Sequence, residues 1–306
     1  MSIHLHLLCL GALVCCVAVS PLNAGQGPGQ YRLSVDVPQV VLQVNVRAKN
    51  GDFVPRLEAA DFVVYDQGKS QQLTAFSREE RPATVGLVLD NSRSMTPRRP
   101  EVLQAAATFV NLSHPDDDFF VVHFNEHVRL GFDGARFSTD RTEVRMALWR
   151  LRPAGQTALY DAVSFALGHA LEGRWEKRAL LVISDGGDNA SKASFEEVHK
   201  KARRLGVSIY AIGIYDLTDP DRSPKVLRGL ARAGGGSASF PEAAAELAAI
   251  CGQIAAEIRN QYTLAFTPSD IGIEGRFHKI RVQLKGEHAK RLIVRTREGY
   301  YEPGEE

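Results

Sequence analysis

A short loop after an apolar run carries three oxygen-bearing side chains at alternate positions. Asp90, Ser92 and Ser94 follow the run Val85–Leu89. One carboxylate and two hydroxyls are hard ligands, and small hard cations such as Mg²⁺ and Mn²⁺ bind oxygen ligands in octahedral shells. The spacing therefore predicts a metal-binding loop at the end of a buried strand.

Two later segments supply further oxygen ligands. Thr157, in the stretch Gly155–Asp161, offers a hydroxyl at the start of a predicted helix. Asp185 offers a second carboxylate directly after the apolar run Leu180–Ser184. In open sheets of parallel strands, ligands bind outside the carboxyl ends of the strands. We therefore expect the loops that carry Asp90 and Asp185 to meet above one crevice.

Together these residues resemble the metal-ion-dependent adhesion site of the von Willebrand factor type A domain family. The resemblance implies a doubly wound α/β fold, a bound Mg²⁺ (or Mn²⁺ or Ca²⁺), and a protein partner that presents an Asp or Glu to the cation. It assigns five metal ligands in three loops, namely Asp90, Ser92 and Ser94, then Thr157, then Asp185.

The first loop departs from the family pattern at the two positions between the ligands. The family often has small residues there, commonly Gly, whereas this chain has Asn91 and Arg93. Asn tolerates turn conformations well. Arg93 adds a permanent cation beside a cation site, where it could lower metal affinity, attract an anionic partner, or be a solvated loop residue.

The segment that holds these loops alternates predicted strands with predicted helices. The strands are expected at Val85–Leu89, Phe119–Phe124, Leu180–Ser184, Val207–Ile214 and Ser237–Phe240, with an edge strand at Val128–Leu130. The helices are expected at Arg98–Leu112 with Thr96 as cap, Thr142–Leu151, Ala158–Leu171, Phe195–Leu205, Pro224–Ala233 and Pro241–Arg259. This alternation predicts a doubly wound, mainly parallel sheet covered on both faces.

Both flanks of that segment have the two-residue period of β-strands. The N-terminal flank has predicted strands at Val40–Val46, Asp61–Tyr65 and Leu73–Phe76, with turns at Asn50-Gly51 and Gln67-Gly68. The C-terminal flank has predicted strands at Tyr262–Phe266, His278–Leu284 and Leu292–Val294. Neither flank has enough strands for a stable sheet of its own, so we expect the two to pair as one β-rich domain.

Parts of the flanks also resemble a secreted bacterial subfamily of type A domain proteins that is abundant in acidobacteria. The residues that carry this resemblance are Asp61-Phe62, His278–Ile280 and Arg297–Tyr301. No biochemical role follows from it.

The N-terminus has the pattern of a secretory signal peptide. An apolar run, Leu7–Val19, precedes Ala24 and a Gly- and Pro-rich stretch, which predicts cleavage near Ala24 and a secreted or periplasmic protein. The run is too short to span a bilayer comfortably, so no transmembrane helix is expected after signal removal. We therefore expect a signal peptide at 1–24, an N-terminal β flank at 25–81, a type A-like domain at 82–259 and a C-terminal β flank at 260–306.

Cysteine content and charge exclude several classes of protein. Cleavage removes three of the four cysteines and leaves Cys251, so no internal disulfide is expected and a buried structural thiol is the preferred interpretation. The chain has 306 residues with 37 Lys and Arg against 36 Asp and Glu. Because it has no basic block, a nucleic acid partner is not expected.

Three functions are compatible with a metal site of this kind. The preferred hypothesis is a non-catalytic, metal-dependent protein-binding module. A metal-assisted hydrolase or phosphoryl-transfer enzyme would need an acid or base, for which the candidates are His123, His127 and Asp188. The third hypothesis is a structural envelope protein whose metal only stabilises the fold. The triplet Asp116–Asp118 is interpreted as a solvated loop, not as a second metal site.

Overall fold

The computed structural model describes residues 39–49, 52–78, 80–134, 136–150, 152–215, 222–269, 275–286, 289 and 291–302. The expected signal peptide and the Asn50-Gly51 turn lie outside these residues. Within them, no helix is both long and apolar enough to cross a membrane.

The described residues form strands and helices with the following bounds. The strands are β1 Val40–Ala48, β2 Phe62–Asp66, β3 Lys69–Gln71, β4 Leu73–Ser77, β5 Thr84–Asp90, β6 Asp118–Phe124, β7 Val128–Leu130, β8 Arg178–Ser184, β9 Ser208–Gly213, β10 Ala238–Ser239, β11 Tyr262–Phe266, β12 Phe277–Leu284, β13 Leu292–Arg295 and β14 Gly299–Tyr301. The α-helices are α1 Arg99–Leu112, α2 Arg141–Leu148, α3 Leu159–His169, α4 Phe195–Leu205, α5 Pro224–Gly234 and α6 Leu247–Arg259.

A six-stranded sheet forms the centre of the fold, in the order β10-β9-β8-β5-β6-β7. All its strands are parallel except β7, which forms the expected antiparallel hairpin with β6. Strands β5, β6 and β9 are buried along their whole length. Helix α1 packs beside α2 and α6, and α4 packs beside α3 and α5. The predicted doubly wound α/β architecture is therefore confirmed.

The strand order places a switch point beside β5. From β5 the chain moves outward to β6 and β7, and it then returns past β5 to form β8 on the other side. Ligands of open α/β sheets bind in the crevice at such a switch, outside the carboxyl ends of the strands. The carboxyl ends of β5 and β8 carry Asp90 and Asp185.

Strands from the two chain ends pair with one another, as predicted. They form two antiparallel four-stranded sheets, in the orders β13-β1-β11-β4 and β14-β12-β2-β3. Leu42 faces Leu264 across the β1–β11 pair, and Val64 faces Val282 across β2–β12. A shared apolar core, which includes Phe62 and Tyr262, fills these flanks. The expected domain boundaries themselves remain predictions.

Several local elements differ from the sequence-based expectations. Helix α1 begins at Arg99, because Thr96 and Pro97 belong to a preceding 3₁₀ turn, Arg93–Arg98. Helix α6 likewise begins at Leu247 instead of Pro241, after a short 3₁₀ turn.

The Gln67-Gly68 turn connects different strands from those expected. Gln67 and Gly68 both have positive φ (48° and 81°), which suits a two-residue hairpin turn. The turn joins β2 to the short β3, whereas β4 lies in the other flank sheet. Strand β14 was also not predicted.

Two of the three residues in the acidic triplet are buried, so the solvated-loop interpretation is wrong for them. Asp117 accepts hydrogen bonds from the backbone of Ala83 (2.7 Å) and His114 (3.0 Å). Asp118 begins β6 and accepts a bond from the backbone of Arg174 (3.3 Å). Their carboxylates therefore form hydrogen bonds that connect loops at the amino end of the sheet.

Cys251 is a buried structural thiol, as expected. Its Sγ donates to the Ala105 carbonyl at 3.2 Å. Burial raises the pKa of the thiol to about 12, so the reactive thiolate is suppressed.

Candidate metal centre

The first and third predicted ligand loops are in direct contact. Asp90 ends β5, Asp185 follows β8, and the two residues are only 1% and 2% exposed. Ser94 Oγ donates a 2.6 Å hydrogen bond to Asp185 Oδ2 and lies 3.0 Å from Ser92 Oγ. Four of the five predicted ligands therefore form one cluster at the switch point.

Short hydrogen bonds fix the orientation of both carboxylates. Asp90 Oδ1 accepts from the Ser92 backbone N–H at 2.8 Å, and its Oδ2 accepts from Ser184 Oγ at 2.6 Å. Asp185 Oδ1 accepts from the Gly187 N–H at 2.9 Å. Such outer contacts hold ligands in one geometry and favour metal binding.

The electrostatics of the pair fit a bound cation. Burial, followed by repulsion from the Asp185 carboxylate, raises the pKa of Asp90 to about 7 despite its hydrogen bonds. Among the described residues, no basic side chain forms an ion pair with either carboxylate. Two buried carboxylates side by side with hydroxyl oxygens are a donor set that a hard divalent cation would both bind and neutralise.

The second loop reaches the site through backbone hydrogen bonds. The Arg93 N–H donates to the Gly155 carbonyl (3.2 Å), and the Ala154 N–H donates to the Asn91 carbonyl (2.8 Å). Thr157 is 6% exposed, and its N–H donates to Asn189 Oδ1 at 2.8 Å. Thr157 is thus held beside the first loop, although its hydroxyl makes no described hydrogen bond to the other four ligands.

Asn91 is a supporting residue that sequence reasoning missed. It is 1% exposed, and its Nδ2 lies 2.8 Å from His123 Nδ1 while its Oδ1 accepts a bond from Arg99. Arg99 also donates to the Leu148 carbonyl at 3.3 Å. Asn91 therefore anchors the ligand loop to α1 and, through Arg99, to the end of α2. The signal in the sequence was the departure from Gly at this position.

His123 completes this support. It is 1% exposed, and its Nε2 lies 2.8 Å from the Ala147 carbonyl. Because Asn91 donates to Nδ1, the proton must sit on Nε2 for the second bond to form. Burial lowers the pKa of His123 to about 4, so the ring is neutral near pH 7 and serves as a bridge.

The remaining polar candidates make no described hydrogen bond to the side chains of the predicted ligands. Asp188 Oδ2 accepts from the Tyr160 N–H (2.9 Å) and Ser191 Oγ (2.6 Å), which caps the start of α3. His127 is exposed on the β6–β7 hairpin, and Arg93 is exposed on the rim of the site. The capping bonds support the polar-turn interpretation of Asp188.

Comparisons with known proteins agree with this architecture. A von Willebrand factor type A protein from Catenulispora acidiphila matches with a TM-score of 0.51 at 14% identity, over 86% of this chain and 73% of that one. A mutant of the PilB minor pilin from Streptococcus sanguinis matches with a TM-score of 0.50 at 10% identity, over 72% and 78%. At these identities the likeness shows the fold alone.

A third solved structure is proximal thread matrix protein 1 from the mussel byssus with a zinc-occupied MIDAS motif. It matches with a TM-score of 0.48 at 18% identity, over 63% of this chain and 50% of that one. A search of curated proteins finds no match in sequence. The family model of the von Willebrand factor type A domain matches residues 85–249, more than half of the 306 residues, and the chain therefore belongs to that family.

Proposed function

We propose that this protein is a non-catalytic, metal-dependent protein-binding module. Domains of this family commonly hold a divalent cation and mediate protein–protein interactions. The observation that carries the proposal is the buried pairing of Asp90 with Asp185, which are linked through Ser92 and Ser94. Asp90, Ser92, Ser94, Thr157 and Asp185 would hold the cation, with Mg²⁺ preferred and Mn²⁺ or Ca²⁺ as alternatives.

The charge of the site favours an acidic group on the partner. Two carboxylates roughly neutralise a divalent cation, and an octahedral shell has room for a ligand beyond the protein's own oxygens. A Glu or Asp of the partner would complete that shell by a charge-assisted contact. Exposed Arg93 lies on the rim, where its charge favours the same kind of ligand.

The positions of the candidate bases favour binding over hydrolysis. Both ring nitrogens of His123 are hydrogen-bonded, to Asn91 and to the Ala147 carbonyl. The Asp188 carboxylate accepts hydrogen bonds at the start of α3. A general base must reach the proton that it abstracts. Neither side chain offers a free basic atom at the ligand cluster.

Partner capture from cell extract tests this proposal. The full chain is immobilised and washed in Mg²⁺, in Mn²⁺ or in EDTA, with Asp185→Ala as the matched variant. We expect partners that are retained with either metal and lost in EDTA and on the variant. Retention in EDTA would instead support a fold-stabilising metal, and turnover by the wild-type chain in a hydrolase panel would support the enzyme hypothesis.

We propose a secreted or periplasmic location, in keeping with the predicted signal peptide. Mass spectrometry of the protein from its host should find an N-terminus near residue 25. Intact Met1 on cytoplasmic protein would contradict this assignment. The acidobacterial-type subfamily also stays a prediction, carried by the flank motifs alone.

A further inference from the structure

A cavity of about 830 Å³ lies at the opposite end of the central sheet from the metal centre. Its walls include Pro82, Arg178 and Gly206, which stand at or just before the amino ends of β5, β8 and β9. The other wall is the β1–β11 pair, which contributes Gln43 and Thr263. Its volume is in the range of small-molecule sites.

The lining of this cavity is strongly basic. Among the described residues, Glu176 is the one acidic side chain that lines it. The basic side chains come from four separate segments of the chain and are Arg81, Arg174, Lys177, Arg178, Arg204 and Arg297. A concave surface with one sign of charge and low-dielectric walls concentrates the field and attracts ions of the opposite sign.

The deeper cations of the cavity are bonded to neutral groups. Arg297 donates to the carbonyls of Val41 (3.0 Å) and Arg203 (3.3 Å), and its buried Nε has no described acceptor. Lys177 is 7% exposed, and its Nζ donates to the Arg259 carbonyl at 3.1 Å.

Burial of these cations is only partly compensated. Burial lowers the pKa of Arg297 to about 10 and that of Lys177 to about 8, although the nearby Asp117 and Glu80 carboxylates oppose the shift of Lys177. A buried charge is costly when no counter-ion or sufficient hydrogen bonding compensates it. An anion in the cavity would supply that compensation.

The loop that carries half of the basic residues is rigidly held. The Thr84 N–H donates to the Lys177 carbonyl (2.8 Å), and Thr84 Oγ1 accepts from the Trp175 N–H (3.1 Å). Gly173 permits this approach, because a Cβ there would lie 2.2 Å from Thr84 Cγ2. The Arg174 guanidinium stacks over the Trp175 ring at 4.3 Å. A preorganised site loses less entropy on binding.

We propose that this cavity is a second binding site, separate from the metal centre, for a small polyvalent oxyanion such as a polyphosphate or a polycarboxylate. The cations surround the space from several sides, so a ligand with several anionic groups contacts more of them than a single anion does. Gln39, Gln43 and Thr263 supply neutral hydrogen-bonding groups on the remaining wall.

Isothermal titration calorimetry tests the proposal with tripolyphosphate and citrate as probes. The full-length chain is freed of divalent metal on a chelating resin and carries Asp90→Ala, so that neither probe can bind through the metal centre. Arg174→Glu changes an exposed cation of the cavity. Lys225→Glu makes the same change of charge on the exposed face of α5 and is the matched control.

We expect one bound probe per chain. Its affinity should fall about tenfold in Arg174→Glu and less than about twofold in Lys225→Glu. Lys177→Met should also weaken binding, and a thermal melt checks that it still folds. The tighter of the two probes identifies phosphate or carboxylate as the preferred group.

Three results would overturn the proposal. The first is that neither probe binds at millimolar concentration. The second is that the two Glu variants lower the affinity for the probes equally. The third is that a single-stranded oligonucleotide binds the same site more tightly than tripolyphosphate. The partner capture that tests the proposed function does not involve this cavity, so each of the two proposals can fail alone.

Discussion

The substitution Asp90→Asn should stabilise the metal-free protein near neutral pH. With metal present, it should instead remove the stability that the bound cation gives. The carboxylate is buried beside Asp185, and its pKa is raised from 3.8 to about 7. The folded metal-free protein therefore holds a proton that the unfolded chain releases, and the wild type loses stability as pH rises between those two values. Asp90→Asn removes this dependence and keeps the shape of the side chain.

The magnitude follows from the two pKa values. Each tenfold change in proton affinity is worth about 1.4 kcal/mol, and about two pH units of the interval between the two pKa values lie above pH 5. Relative to Asp90→Asn, the metal-free wild type should lose roughly 2.5 kcal/mol of unfolding free energy between pH 5 and pH 8. The difference between the two proteins removes the contributions of other groups to the pH dependence of stability. One of these is His123, whose lowered pKa makes stability rise with pH.

Urea unfolding of both proteins at pH 5, 6, 7 and 8 without metal measures this difference. Asp116→Asn is the control, because its carboxylate is 70% exposed and the variant should follow the wild type. Saturating Mg²⁺ should then stabilise the wild type by about 2.7 kcal/mol at 100 times Kd and leave Asp90→Asn almost unchanged. A wild-type curve parallel to that of Asp90→Asn across this pH range would contradict the raised pKa of Asp90 in the folded protein.

Three further predictions concern the surroundings of the site and the flanks. His123→Phe should lower Mg²⁺ affinity by at least about tenfold in calorimetry, because it frees the ligand loop at Asn91; unchanged affinity would mean that the bridge is dispensable. Arg93→Ala should weaken partner binding less than about fivefold, because the side chain is exposed, and complete loss in a pull-down would contradict this. The His278 ring lies 2.9 Å from Asp66 Oδ1 and, without hydrogen-bond alignment, 2.8 Å from Glu302 Oε1. His278→Ala should therefore cost about 1–3 kcal/mol in urea unfolding, because it removes a hydrogen-bond partner of the buried Asp66 carboxylate, and a loss below about 0.5 kcal/mol would show that these contacts are unimportant.

The candidate metal ligands could be proposed from sequence because each one lies next to a locally recognisable strand or helix. Apolar runs identified β5 and β8, and strand ends in a parallel sheet share one edge. Asp90 and Asp185 could therefore be brought together without knowing the contacts between them. The hydrogen bond that joins Ser94 to Asp185 depends on side-chain orientation, which spacing does not determine.

The supporting contacts could not be predicted in the same way. Asn91 and His123 are 32 residues apart. In the sequence, each has only the features of an ordinary polar residue in a turn or a strand. The predicted Thr96 cap and the predicted helix start at Pro241 were wrong, because 3₁₀ turns and the first turns of α-helices accept the same residues. Element boundaries depend on such local competition.

The basic cavity was hidden by the balance of charge along the chain. A formal net charge of +1 without a basic block argued against any concentrated positive surface. Folding brings Arg81, the Arg174–Arg178 loop, Arg204 and Arg297 to one space, although they are far apart in sequence. Net charge describes the whole surface and says little about one cavity.

Calorimetric titration of Mg²⁺ and Mn²⁺ into the wild type and Asp90→Ala determines whether the five predicted ligands bind a cation. We expect one site per wild-type chain, and we expect Asp90→Ala to lose that site while its circular dichroism spectrum stays the same. A folded Asp90→Ala protein that binds either cation with wild-type affinity would contradict the assignment of the metal to Asp90, Ser92, Ser94, Thr157 and Asp185.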